Sequence, residues 1–85
     1  MKNYNINYEL VKSNMREIRK DYNKTLREFT KILNTSSSTW SAYETGKTLI
    51  LCSFLFEICL DKGYSADWIL GRSDVKYVNN KIITS

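Results

Sequence analysis

The sequence predicts an all-α domain of five short helices, and three observations carry that prediction. Proline is absent and only three glycines occur, Gly46, Gly63 and Gly71, in 85 residues, too little turn chemistry for an all-β sandwich. Apolar residues recur at three- and four-residue spacing through successive segments. Good helix caps stand at the segment starts, at Thr25, Ser36 and Ser65. The chain has room for one core and is small enough that a partner or a second copy would help it. Its 42% apolar and 26% charged residues place it among globular chains rather than disordered ones.

Val11, Met15, Ile18 and Tyr22 fall at i, i+4, i+7 and i+11 and form one helical stripe, with Lys12, Arg16, Arg19 and Lys20 away from its centre. This helix starts near Asn7 and frays out over 21–23. Thr25-Leu26-Arg27-Glu28 is a capping box opening a second helix, whose stripe is Leu26, Phe29, Ile32 and Leu33. Asn34 then suits the left-handed turn that closes a helix. Ser36 caps a third helix, Ser37 to Thr45, in which Trp40 and Tyr43 recur three apart and Gly46 ends the segment. The five hydroxyl residues of 35–39 are therefore read as an ordered helix start, not a linker. Leu51 to Asp61 is a fourth helix, apolar over more than half its circumference, so it is buried on several sides or lies at a subunit contact. Phe56 and Leu60, on its side away from Ile58, are either core or a dimer seam. Ser65 caps a fifth helix, Ala66 to Leu70, closed by Gly71. At the ends, Tyr4, Ile6 and Tyr8 alternate with polar residues, and Val75–Val78 and Lys81–Thr84 flank Asn79-Asn80 as a hairpin would. These pieces make either a minor sheet or frayed tails. The organisation is thus an arm and helix start over 1–13, the main domain over 14–74, and a tail or short hairpin over 75–85.

Several function classes drop out. Histidine is absent, which removes Ser-His-Asp and Cys-His nucleophile systems and mixed cysteine–histidine zinc sites. Cys52 and Cys59, seven apart in one helix, are about 10 Å apart and too far for an intramolecular disulfide; they read as small buried apolar residues of a reduced, cytoplasmic protein. No pair of carboxylates is placed for acid–base work, so no enzyme, metal, cofactor or small-molecule substrate is expected. The longest apolar run, Leu49–Leu60, falls short of the roughly 20 residues that span a bilayer, and no membrane role is expected. The charge is one-sided. Residues 1–47 carry nine basic and five acidic side chains, the whole of the net +4, while residues 48–85 carry four of each. That asymmetry points to a polyanion on one face.

The wider string is more specific. Arg16-Glu17-Ile18-Arg19 is followed by Leu26-Arg27-Glu28-Phe29-Thr30-Lys31-Ile32-Leu33-Asn34. Next comes Ser36-Ser37-Ser38-Thr39-Trp40-Ser41-Ala42-Tyr43-Glu44-Thr45-Gly46-Lys47, and Ser65-Ala66-Asp67-Trp68-Ile69-Leu70-Gly71-Arg72-Ser73-Asp74 ends it. From about residue 14 to 74 the chain resembles the phage-repressor and Cro-type, or XRE-like, helix-turn-helix family.

The resemblance implies a five-helix lambda-repressor-like domain that binds double-stranded DNA with its third helix in the major groove. It implies phosphate contacts at Thr25, Leu26, Thr45, Gly46 and Lys47, and Ser36, the cap of the third helix, is counted among the DNA-binding residues. Base contacts would come from Ser37, Ser38 and Ser41, with Ala42 beside them. It also implies an orienting pair between Arg19 and Glu44. Departures from the family pattern are Leu26, where many members carry glutamine, Ser37, where a longer polar side chain is frequent, Trp40 in place of a core isoleucine, and Ile50 in place of a proline. Serine and alanine read bases ambiguously, so direct readout is expected to be modest and helped by DNA shape. The expected function is a transcriptional regulator, a repressor, acting as a homodimer on a two-fold-symmetric site. The alternative is a protein-interaction module, an antitoxin or immunity-type partner that keeps the fold.

Overall fold

Residues 6–78 are described by the structure, a computed structural model. Five helices follow in order: α1 (Tyr8–Asp21), α2 (Leu26–Ile32), α3 (Ser37–Thr45), α4 (Cys52–Lys62) and α5 (Ala66–Ile69). The fold is all-α, as expected. Each helix starts and stops for a local reason. Asn7 caps α1 by accepting from the Leu10 amide at 3.1 Å, and Tyr8 is thus the first residue of that helix, not part of a strand. Asn23 turns the chain out of α1 with a φ of 55°. The capping box of α2 is complete: Thr25 Oγ1 accepts from the Glu28 amide at 3.2 Å and the Thr25 amide donates to Glu28 Oε1 at 3.0 Å. Asn34 takes the left-handed conformation at φ 57°. Serines cap α3 and α5, whereas α4 starts at Leu51 with no side-chain cap.

The core is a row of aromatics clasped by α1. Met15, Ile18, Phe29, Trp40, Ile58, Tyr64 and Ile69 are fully buried. Tyr22, Phe29, Trp40 and Tyr43 follow one another edge to face, with centroid separations of 4.9, 4.7 and 5.3 Å. Such pairs are worth about 0.5–1.5 kcal/mol each beyond the area they bury. Asn14, buried on α1, donates from Nδ2 to the Trp68 carbonyl at 2.7 Å and ties α1 to α5. Among the described residues every buried polar side-chain atom has a partner.

Residues 75–78 fold back onto the domain. Tyr77 forms an antiparallel bridge with Tyr64; the Ser65 amide donates to the Lys76 carbonyl at 2.8 Å and the Val78 amide to the Gly63 carbonyl at 2.9 Å. The Lys76 ammonium lies 2.7 Å from Glu17 and 2.8 Å from Asp21, above the rings of Trp68 and Tyr77. Val75–Val78 is thus paired with the α4–α5 junction. The expected hairpin turn at Asn79-Asn80, its second strand and Tyr4 lie outside the described residues.

This fastening sets a pH dependence. Partial burial pushes the Asp21 carboxyl up, but hydrogen bonds from Lys76 and Tyr64 outweigh it and hold the group below its ordinary value. The hydrogen bond from the Thr25 amide holds Glu28 down in the same sense. A carboxylate depressed in the folded state lends stability that is complete above its unfolded pKa and is lost as pH falls through its folded one. The melting temperature is therefore expected to be level above about pH 5 and to fall progressively below about pH 4. Asp21→Asn should flatten that acid limb, as thermal unfolding from pH 2 to 7 would show.

Candidate nucleic-acid interface

The turn between α2 and α3 is tight because its backbone bonds close on themselves. The Leu33, Asn34 and Thr35 amides donate to the carbonyls of Phe29, Lys31 and Thr30 at 3.2, 3.1 and 2.9 Å. Ser36 Oγ accepts from the Thr39 amide at 3.1 Å and lies 2.8 Å from the Thr39 hydroxyl. The hydroxyl run is thus an N-cap with its own hydrogen-bond network, as its spacing predicts.

One face of α3 is held from inside. Trp40, Tyr43 and Glu44 are buried. Arg19 of α1 meets Glu44 through two contacts, Nε to Oε2 at 2.6 Å and Nη2 to Oε1 at 3.0 Å. The fork geometry matches a carboxylate, and the hydrogen bond to Glu44 raises the Arg19 pKa further. Trp40 Nε1 donates to the same Oε2 at 2.8 Å, and Arg16 Nη1 donates to the Glu44 carbonyl at 3.0 Å. The expected Arg19–Glu44 pair is present, with Trp40 and Arg16 as further members. Trp40 packs as core. The Trp40–Glu44 spacing of four, one turn of helix, was the signal for its part in the network.

The opposite face of α3 is smooth. Ser38 and Thr45 are exposed, and Ser41 and Ala42 are half-buried. Thr45 Oγ1 bonds back to the Ser41 carbonyl at 2.9 Å. At about 100° of rotation per residue these four form one strip. Ser37 sits at its edge: it is half-buried, and its Oγ lies 3.4 Å from Thr30 Oγ1. Ser37 is thus half-buried, as Ser41 and Ala42 are, and lies beside Thr30 of α2. Leu26 differs from the expectation. Its side chain packs against the core, so only its amide, at the start of α2, is placed to meet a phosphate.

Both ends of the strip carry groups suited to anions. Thr25 and Ser36 are exposed at the starts of α2 and α3. Gly46 closes α3 at φ 81°, and a Cβ there would lie 2.7 Å from Lys12 Cδ. It thereby turns the chain so that the Lys47 amide bonds back to the Ala42 carbonyl at 2.9 Å, with the Lys47 side chain exposed. A shallow cleft of about 480 Å³ beside α2 is lined by Arg19, Lys20, Asn23, Lys24, Thr25 and Glu28. Asn23 belongs to it through its left-handed turn, which composition alone did not mark.

The cysteines differ from expectation. Cys52 is exposed and Cys59 half-buried, with burial raising the Cys59 thiol pKa. The α4 surface that carries them also exposes Phe56 and Leu60, so those two are not core. Among the described residues no group of three or more His, Cys, Asp or Glu side chains is arranged to hold a metal ion, and no described helix is long and apolar enough to cross a membrane. Compared with protein-family models, curated proteins and solved structures, the chain has no significant match in any of the three.

Proposed function

We propose that this chain is a sequence-specific double-stranded DNA-binding regulator of transcription, a cytoplasmic repressor that lays α3 in the major groove and binds as a homodimer. The observation that carries this reading is the two-sided character of α3. Its inner face is locked by Trp40, Glu44, Arg19 and Arg16, while its outer strip of Ser38, Ser41, Ala42 and Thr45 is small, uncharged and open. A helix about 10–12 Å across with such a strip fits a groove about 12 Å wide. The amides at the starts of α2 and α3, Lys47 and the Lys20–Lys24 cleft then border the groove where phosphates run. The molecule measures 37 × 34 × 20 Å, a size that lets two copies side by side address half-sites about 34 Å apart. The resemblance to the phage-repressor and Cro-type family supports the same reading.

The test is selection of bound duplexes from a random pool, followed by titration at several salt concentrations. With about four to six phosphate contacts, log affinity against log salt should have a slope of about −3.6 to −5.4. Ser38→Glu puts a carboxylate in the groove and should weaken binding on the order of 10–100-fold without changing the melting temperature. A flat salt response at micromolar protein, or full affinity in Ser38→Glu, would reject the reading.

The exposed apolar surface of α4 favours a second reading, a protein-interaction module in which α3 is a relic. That reading expects a stable heteromeric complex on pull-down that survives Ser38→Glu, and no duplex preference.

A further inference from the structure

Resting on the reading that α3 lies in the major groove, we infer that its outer strip selects duplex sites by the C5-methyl groups of pyrimidines, with Ala42 and Thr45 as the side chains that meet them. Thymine carries that methyl, and 5-methylcytosine offers the same chemistry. The residue types of α3 exclude the stronger codes. Bidentate contacts to guanine need arginine or lysine, and those to adenine need asparagine or glutamine. Ser37–Thr45 contains none of the four. A carboxylate can accept from cytosine N4, but Glu44, the one acidic residue of α3, is buried and already receives Arg19 and the Trp40 N–H. Short hydroxyls and methyls are what the strip offers to a base edge.

Most of the hydroxyls are already engaged within the protein. Thr45 Oγ1 donates to the Ser41 carbonyl at 2.9 Å. That hydroxyl folds onto the preceding turn, and the methyl branch of this exposed side chain is left for a groove. Ser38 Oγ lies 3.2 Å from Ser36 Oγ, which also accepts from the Thr39 amide and lies 2.8 Å from the Thr39 hydroxyl. Ser37 Oγ lies 3.4 Å from Thr30 Oγ1. Among the described residues, Ser41 has the one serine or threonine hydroxyl of α3 without a hydrogen bond, and a single hydroxyl does not choose between donor and acceptor edges. Ala42 supplies a second methyl three residues before Thr45. Three residues advance a helix by about 4.5 Å, comparable to the roughly 3.4 Å between base pairs, so the two methyls address neighbouring pairs. Of the four ordinary bases thymine alone shows a methyl in the major groove, and alanine and the threonine methyl are the groups suited to contact it.

The probe is the duplex recovered by selection from the random pool, titrated with the full chain. Each thymine of one half-site is replaced singly by deoxyuridine, which removes the methyl and keeps every hydrogen-bonding group. Two neighbouring positions should each lose about 4-fold in affinity, and the two together about 15-fold. The loss should be the same at low and high salt while total affinity falls, because a buried methyl releases no counterion. At those positions 5-methylcytosine should bind about 4-fold tighter than cytosine. Thr45→Ser keeps the hydroxyl but lacks the methyl. It should weaken binding to the thymine duplex about 4-fold and abolish the uracil penalty at one position. Thr45→Val keeps the methyl and should keep that penalty, and thermal melts of both variants confirm that they fold. Deoxyuridine duplexes bound as tightly as thymine duplexes at every position overturn the inference and leave DNA binding standing. So does a Thr45→Ser protein that keeps the full penalty at both positions. A uracil penalty without a gain from 5-methylcytosine upholds the inference with thymine as the one source of the methyl; a gain as well extends it to methylated cytosine. Failure to select any duplex overturns the DNA reading and this inference with it, so the two failures are distinct.

Discussion

Trp40→Ala is expected to remove about half of the domain's folding stability. The indole is fully buried between Phe29 and Tyr43, and truncating such a side chain costs about 3–5 kcal/mol. A domain of this length has a total stability of order 5–10 kcal/mol, so the loss removes roughly half of it. At about 4–8 °C per kcal/mol for a domain of this size, the melting temperature should drop by at least about 12 °C in circular dichroism. Trp40→Phe separates packing from hydrogen bonding. It keeps an aromatic ring in the row but leaves Glu44 Oε2 without the indole N–H, and should cost a smaller amount, about 1–3 kcal/mol. A Trp40→Ala melt within a few degrees of wild type would contradict the packing described above.

Glu44→Ala is the second large effect. One carboxylate receives both Arg19 contacts and the Trp40 N–H, so its removal strands a guanidinium and an indole donor together. Breaking a fully buried pair costs about 3–5 kcal/mol; Arg19 is a quarter exposed, and water can reach it, so about 2–4 kcal/mol is expected. Glu44→Gln keeps one acceptor and should recover part of the loss. Combining Arg19→Ala with Glu44→Ala should cost less than the separate losses added together, by about 1–3 kcal/mol. Strict additivity in denaturant unfolding would mean that the two side chains do not act as a unit. Because Glu44 lies in the last turn of α3, the same variant should also weaken duplex binding by loosening the helix against α1.

How much of this was legible beforehand follows the range of the interactions. The Thr25–Glu28 box, the Ser36 and Ser65 caps, the turn at Asn34 and the stop at Gly46 each rest on residues within a few positions of one another, and local chemistry specifies them. The Trp40–Tyr43 periodicity placed Trp40 inside for the same reason. What escaped is long-range. Asn14 meets Trp68, Tyr22 meets Asp61 and Lys76 meets Glu17 across separations of 54, 39 and 59 residues, and no short pattern encodes such pairs. Cys52 was misjudged because α4 is apolar around most of its circumference, and periodicity cannot say which apolar side of such a helix meets the core. The Arg19–Glu44 pair was available through family resemblance, not through spacing.

The central claim is that the outer strip of α3 is the surface that meets a duplex. Its most direct test is amide NMR of the full chain during titration with a selected duplex. The largest shift changes should fall on 36–38, Ser41, Ala42 and 45–47, with smaller ones at Lys24, Thr25 and Leu26 and almost none at Asn14 or Ile69. Changes concentrated on Phe56 and Leu60 with α3 silent, or no saturable change with any duplex, would contradict it.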